Sequence, residues 1–94
     1  MKWVEIIRLR TEGIEGLPKD MHAELAQQLK QCPPSQELKK VNLYAHTSVP
    51  NDLMISMTWD TPDALPWGSE LGRSLSRELR QYGLTDHSVW IEKN

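Results

Sequence analysis

Apolar and polar residues alternate along Leu38 to Thr47, with Val41, Leu43 and Ala45 on one side and Lys40, Asn42, Tyr44 and His46 on the other. A period of two is that of a half-buried strand. The same alternation runs through Leu53 to Trp59, where Leu53, Ile55, Met57 and Trp59 oppose Met54, Ser56 and Thr58. Ser48-Val49-Pro50-Asn51-Asp52 between them carries Pro and Asn where a β-turn favours them, so the two segments are predicted to form a hairpin. Trp3 to Arg10 has Val4, Ile6, Ile7 and Leu9 on both faces with Glu5, Arg8 and Arg10 interleaved, which predicts a strand covered on both sides. Residues 85 to 92 set His87, Val89 and Ile91 against Asp86, Ser88, Trp90 and Glu92 and predict a fourth strand.

Two other segments follow the helical period. Leu17, Met21, Leu25, Leu29 and Cys32 advance in steps of 4, 4, 4 and 3, with Asp20, Glu24, Gln27 and Gln31 opposite. A helix over about residues 18–31 follows, with Pro18 in its first turn and Pro33-Pro34 as its stop. Ser69 is a good N-cap for a second helix carrying Leu71, Leu75, Leu79 and Tyr82 on one stripe. Gly83 then has the place of a left-handed C-terminal glycine, with Leu84 as its apolar contact.

The predicted order is strand, helix, strand, strand, helix, strand over one domain of residues 1–94. Right-handed crossovers make this a ferredoxin-like βαββαβ unit of the α+β class, a four-stranded antiparallel sheet with two helices on one face. The other face is left with Tyr44, Met54 and Trp90, joined by either Val4 and Ile6 or Trp3, Ile7 and Leu9. That much apolar area predicts a partner sheet in an isologous homodimer. Trp90, Tyr44, His46, Asn42 and Met54 are its interface candidates.

Composition narrows the function classes. Eleven Lys and Arg against thirteen Asp and Glu give a net charge of −2, without the basic footprint of a nucleic-acid binder. No apolar run is long enough to span a bilayer, and Glu5 interrupts the amino end where a signal peptide would be apolar, so a cytoplasmic protein with no membrane partner is expected. One cysteine forms no internal disulfide. His22, His46 and His87 lack metal-ligand spacing, and neither a metal nor another cofactor is expected.

The four tryptophans, in a chain without Phe, are core and interface material first. Trp59 and Trp67 flank the loop entering the second helix, and with Met57 they are the candidates to line a pocket for an apolar or aromatic small molecule. Arg73, Arg77 and Arg80 have the spacing of an anion-binding stripe. They fall opposite Leu71, Leu75 and Leu79, which predicts a solvated outer helix face.

The element order, the length and the segment Asp52-Leu53-Met54-Ile55-Ser56-Met57-Thr58-Trp59 resemble the dimeric α+β barrel superfamily, and within it the antibiotic biosynthesis monooxygenase-like domains. The resemblance implies two subunits packed sheet against sheet and a cleft between helices and sheet. In enzymatic members that cleft oxidises aromatic polyketide-like substrates without metal or flavin, or binds and degrades haem. Trp59 resembles the tryptophan that ends the third strand in both branches. The catalytic asparagine of the first strand has no counterpart in Trp3 to Arg10, and the histidine of the haem degraders has none in Ser69 to Tyr82. Three functions are therefore open: a binding protein acting as a cofactor-independent monooxygenase, a non-catalytic binding or assembly module, and a haem-binding or haem-degrading protein.

Overall fold

The computed structural model of the chain describes residues 1–11, 21–31, 37–49 and 52–93. Its elements are β1 (Lys2–Thr11), α1 (Met21–Gln31), β2 (Leu38–Ala45), β3 (Asp52–Asp60), α2 (Glu70–Leu79) and β4 (Gly83–Ile91), with a 3₁₀ turn over Arg80–Tyr82 between the last two. The strands form one antiparallel sheet in the order β2-β3-β1-β4. This is the ferredoxin-like arrangement, with the first and third strands central. The predicted start of α1, its Pro18 and Pro33-Pro34 boundaries and Cys32 lie outside the described residues.

The alternation in β1 and β3 decides which face meets the helices. Trp3, Glu5, Ile7, Leu9 and Thr11 point inward from β1, as do Leu53, Ile55, Met57 and Trp59 from β3. Leu25 and Leu29 of α1 and Leu79 of α2 close the core over them. Trp3 and Trp59 are register partners, and their rings stack at 5.7 Å with 17° between planes. The Trp3 indole N–H donates to Thr61 Oγ1 at 2.8 Å, which satisfies the polar atom of a buried residue. In β2 the register shifts between Leu38 and Lys40, so Leu38 turns inward opposite Trp59.

The register also settles the outer face. Val4 lies between Thr58 and Trp90, Ile6 between Ser56 and Ser88, and Tyr44 beside Met54, so Val4 and Ile6 are the β1 residues on that side. Trp90 is 60% exposed, and Tyr44 and Leu84 are exposed with it. Toward one end the face becomes charged, where Arg8 pairs with Asp86 at 2.7 Å and Arg10 with Asp52 at 3.1 Å. The Asp52 hydrogen bond, and after it the Asp52 charge, raise the Arg10 pKa above its ordinary value.

One predicted boundary differs. Gly83 is not a left-handed cap: α2 tightens into the 3₁₀ turn, and Gly83 opens β4 in an extended conformation. Its missing side chain is needed for close approach, because a Cβ there would run into the Arg10 carbonyl of β1. Leu84 consequently lies exposed on the outer face.

Candidate functional site

A carboxylate sits in the inward-facing row of β1, between Trp3 and Ile7. Glu5 is 0% exposed, the only acidic residue in the core among the described residues. An isolated buried carboxylate is prohibitively costly, so what surrounds it is decisive. Three donors and one imidazole nitrogen meet it: Oε1 accepts from the Trp59 indole N–H at 3.1 Å and the Ser69 hydroxyl at 2.6 Å, while Oε2 accepts from the Ser69 backbone N–H at 2.9 Å and lies 2.6 Å from His87 Nε2. An ionised carboxylate, which only accepts, can take all four contacts when His87 Nε2 carries its ring's proton.

Local structure puts each partner in place. His87 is the register partner of Ile7, and Val89 that of Glu5, so the histidine and the glutamate are diagonal neighbours on the inward face. Trp59, opposite Trp3, is the diagonal neighbour on the other side. Ser69 is the N-cap of α2, as its sequence position predicts: its Oγ accepts from the Gly72 N–H at 2.9 Å while its own O–H goes to Glu5. The carboxylate therefore rests at the amino end of α2, where the helix dipole favours negative charge. Two glycines make room. A Cβ at Gly72 would overlap the Glu5 carboxyl group, and one at Gly68 would overlap both Glu5 and His87. Gly68 also has φ +85°, in the region that side-chain-bearing residues rarely adopt.

His87 links this buried set to the surface. Its side chain is 17% exposed, and it lines a groove of about 460 Å³ with Glu70, Arg73, Ser76, Arg77 and Arg80. Nδ1 of His87 has no partner among the described residues, and neither has the Ser76 hydroxyl, although Ser76 is 3% exposed. A stranded buried hydroxyl costs roughly 1–3 kcal/mol. The three arginines are exposed, as their helical spacing predicts, and they also wall this groove.

Trp59 and Met57 lie in the core, Trp59 as the indole donor to Glu5, whereas Trp67 is 63% exposed. None of these three lines the His87 groove or the second concavity, of about 520 Å³, on the outer sheet face. Tyr44, His46 and Met54 do line that second concavity, together with Arg8, Arg10 and Asp86. His46 is also tied to its own turn, its Nδ1 accepting from the Ser48 and Val49 N–H groups at 3.0 Å each. Asn42 is half-buried in β2, and Trp90 donates to Ser88 Oγ at 2.8 Å. His87 faces the helices, as the alternation predicts. Glu5 is the residue that sequence reasoning missed: grouping it with Arg8 and Arg10 ignored the parity that puts it on the opposite face. The signal was a carboxylate in the otherwise apolar series Trp3, Ile7, Leu9.

Fold and site together define a ferredoxin-like α+β protein with a buried carboxylate–imidazole pair opening onto a surface groove. The fold is similar to that of SnoaB, a cofactor-independent oxygenase from Streptomyces nogalater whose crystal structure was solved as a mutant. The two superpose with a TM-score of 0.67 at 13% identity, over 99% of this chain and 94% of that one. No protein-family model matches the sequence, and no curated protein does.

Proposed function

We propose that this chain forms a homodimer through its open sheet face and acts as a cofactor-independent, monooxygenase-like protein on an aromatic small molecule. The observation that carries the reading is the Glu5–His87 pair at 2.6 Å, with the carboxylate fully buried and the imidazole at the edge of a groove. The fold likeness to an oxygenase that uses no cofactor supports it.

Oxygenation without metal or flavin requires the substrate to supply the electrons, so the protein's task is to remove a proton from an acidic C–H. A base with an orienting carboxylate suits that task. Glu5 holds the Nε2–H, which leaves Nδ1 to take the proton, and the buried negative charge stabilises the imidazolium that forms, as in a Ser-His-Asp triad. Guanidinium groups on the groove wall stack on aromatic rings and stabilise the resulting enolate. The carbanion gives its electrons to dioxygen, and the hydroperoxide that forms loses water to leave a new carbonyl. Trp59 and Ser69 act through Glu5 as positioning residues. The outer face, with Trp90, Tyr44, Met54, Asn42 and His46, forms the contact with the second subunit, and its exposed apolar side chains support that assignment.

Oxygen uptake with 1,8-dihydroxyanthrone, an aromatic carbon acid, tests the reading. The native protein is expected to raise uptake above the spontaneous rate, and His87→Gln to lower the enhancement by about 10²-fold or more, the usual contribution of a general base. A folded His87→Gln variant as active as the native protein overturns the assignment, as does native protein that leaves uptake at the spontaneous rate.

A further inference from the structure

We propose that the groove beside His87 is an anion site, and that its ligand is an acidic aromatic molecule whose carboxylate, sulfonate or phosphate group is held by Arg73, Arg77 and Arg80. This deepens the oxygenase reading by naming a substrate class for the same site. Its basis is independent of the chemistry at His87.

Three guanidinium groups line one groove, and none has an ion-pair or side-chain hydrogen-bond partner among the described residues. The surroundings show how differently arginine is treated elsewhere in this chain, since Arg8 and Arg10 on the outer face are both paired to aspartates. Among the described residues, Glu70, at the start of α2, is the only acidic one lining the groove, against three arginines. The groove is therefore a concave surface of excess positive charge, in a protein whose net charge is −2. Ser76 adds the second observation: it lines the same groove, is 97% buried, and its hydroxyl has no partner. Buried hydroxyls are nearly always hydrogen-bonded, and an acceptor oxygen of a bound anion would supply what this one lacks. Guanidinium forks match the planar or tetrahedral oxygens of carboxylate, sulfonate and phosphate groups, and their faces take an aromatic ring. An anion held here also lies next to His87, which lines the same groove.

Two dyes with one aromatic skeleton separate charge from apolarity: 1-anilinonaphthalene-8-sulfonate, and N-phenyl-1-naphthylamine, which lacks the sulfonate. Titrated into the native protein and followed by amide chemical shifts, the sulfonate is expected to move the resonances of residues 73–80 and 87. It should bind about tenfold or more tightly than the uncharged dye, lose that advantage as salt is raised, and lose it in an Arg73→Gln, Arg77→Gln, Arg80→Gln variant. Equal affinity for the two dyes overturns the proposal, and so do shifts confined to Tyr44, Met54 and Trp90, which would place the dye on the open sheet face. His87→Gln separates this inference from the oxygenase reading. Sulfonate binding that depends on the arginines in a protein that does not enhance oxygen uptake supports the anion site and removes only the chemistry. Enhanced uptake that needs His87 but is indifferent to the triple substitution overturns the anion site together with the arginines' part in stabilising the enolate, and leaves His87 as the base.

Discussion

Glu5→Gln changes one atom and tests the buried site directly. The side-chain volume is conserved, so no cavity forms, but an acceptor becomes an NH₂ group that needs acceptors of its own. If the NH₂ replaces Oε2, the Ser69 backbone N–H faces another donor. If it replaces Oε1, the Trp59 indole N–H does. His87 can adapt by moving its proton to Nδ1, and the Ser69 hydroxyl has a lone pair to offer, but one fixed N–H is stranded in either orientation. That group alone costs roughly 1–3 kcal/mol. The surviving contacts change from bonds to a charged acceptor, roughly 1.5–3 kcal/mol each, to neutral bonds of roughly 0.5–1.5 kcal/mol. Relief of the carboxylate's desolvation offsets part of that loss. A net destabilisation of ~2–4 kcal/mol follows, equivalent to a fall of ~10–30 °C in Tm for a domain of this length. The assay is thermal unfolding by circular dichroism at one fixed protein concentration, since association adds its own contribution to stability. Glu24→Gln, on the exposed side of α1, is the control and should be near-neutral. If the two variants melt within ~4 °C of each other, the carboxylate is not held as its four contacts indicate.

Two further outcomes follow from the same geometry. Gly72→Ala should lower the urea midpoint, although Ala for Gly inside a helix normally stabilises by roughly 0.5–1 kcal/mol, because the added methyl meets the Glu5 carboxyl group; a raised midpoint would refute the tight approach of α2 to β1. Trp90→Asp and Tyr44→Asp place an unpartnered charge on the outer face and should shift sedimentation toward the single-chain species at micromolar concentration, whereas unchanged sedimentation of both would locate the contact between subunits elsewhere.

Local patterning was enough to determine the elements. The period-two alternation of β2 and β3, the N-cap Ser69 and the apolar stripe of the second helix are each short-range, and the βαββαβ order leaves few topologies once crossovers are right-handed. Even His87 could be placed on the helix side by counting parity along β4. Tertiary structure decided what the inward set of β1 does. Its parity makes Glu5 inward, but that this carboxylate is tolerated, and by which partners, depends on Trp59, Ser69 and His87, which stand 54, 64 and 82 residues away in the chain. The same applies to Gly83, whose glycine reads locally as a helix cap and is required instead by the Arg10 carbonyl of a neighbouring strand. The arginine stripe is solvated by its helical phase, and only the packing of α2 against β4 turns it into the wall of a groove that ends at an imidazole. Sequence periodicity reports which side of an element meets the core, whereas hydrogen bonds and charges are settled by what the chain brings up from a distance.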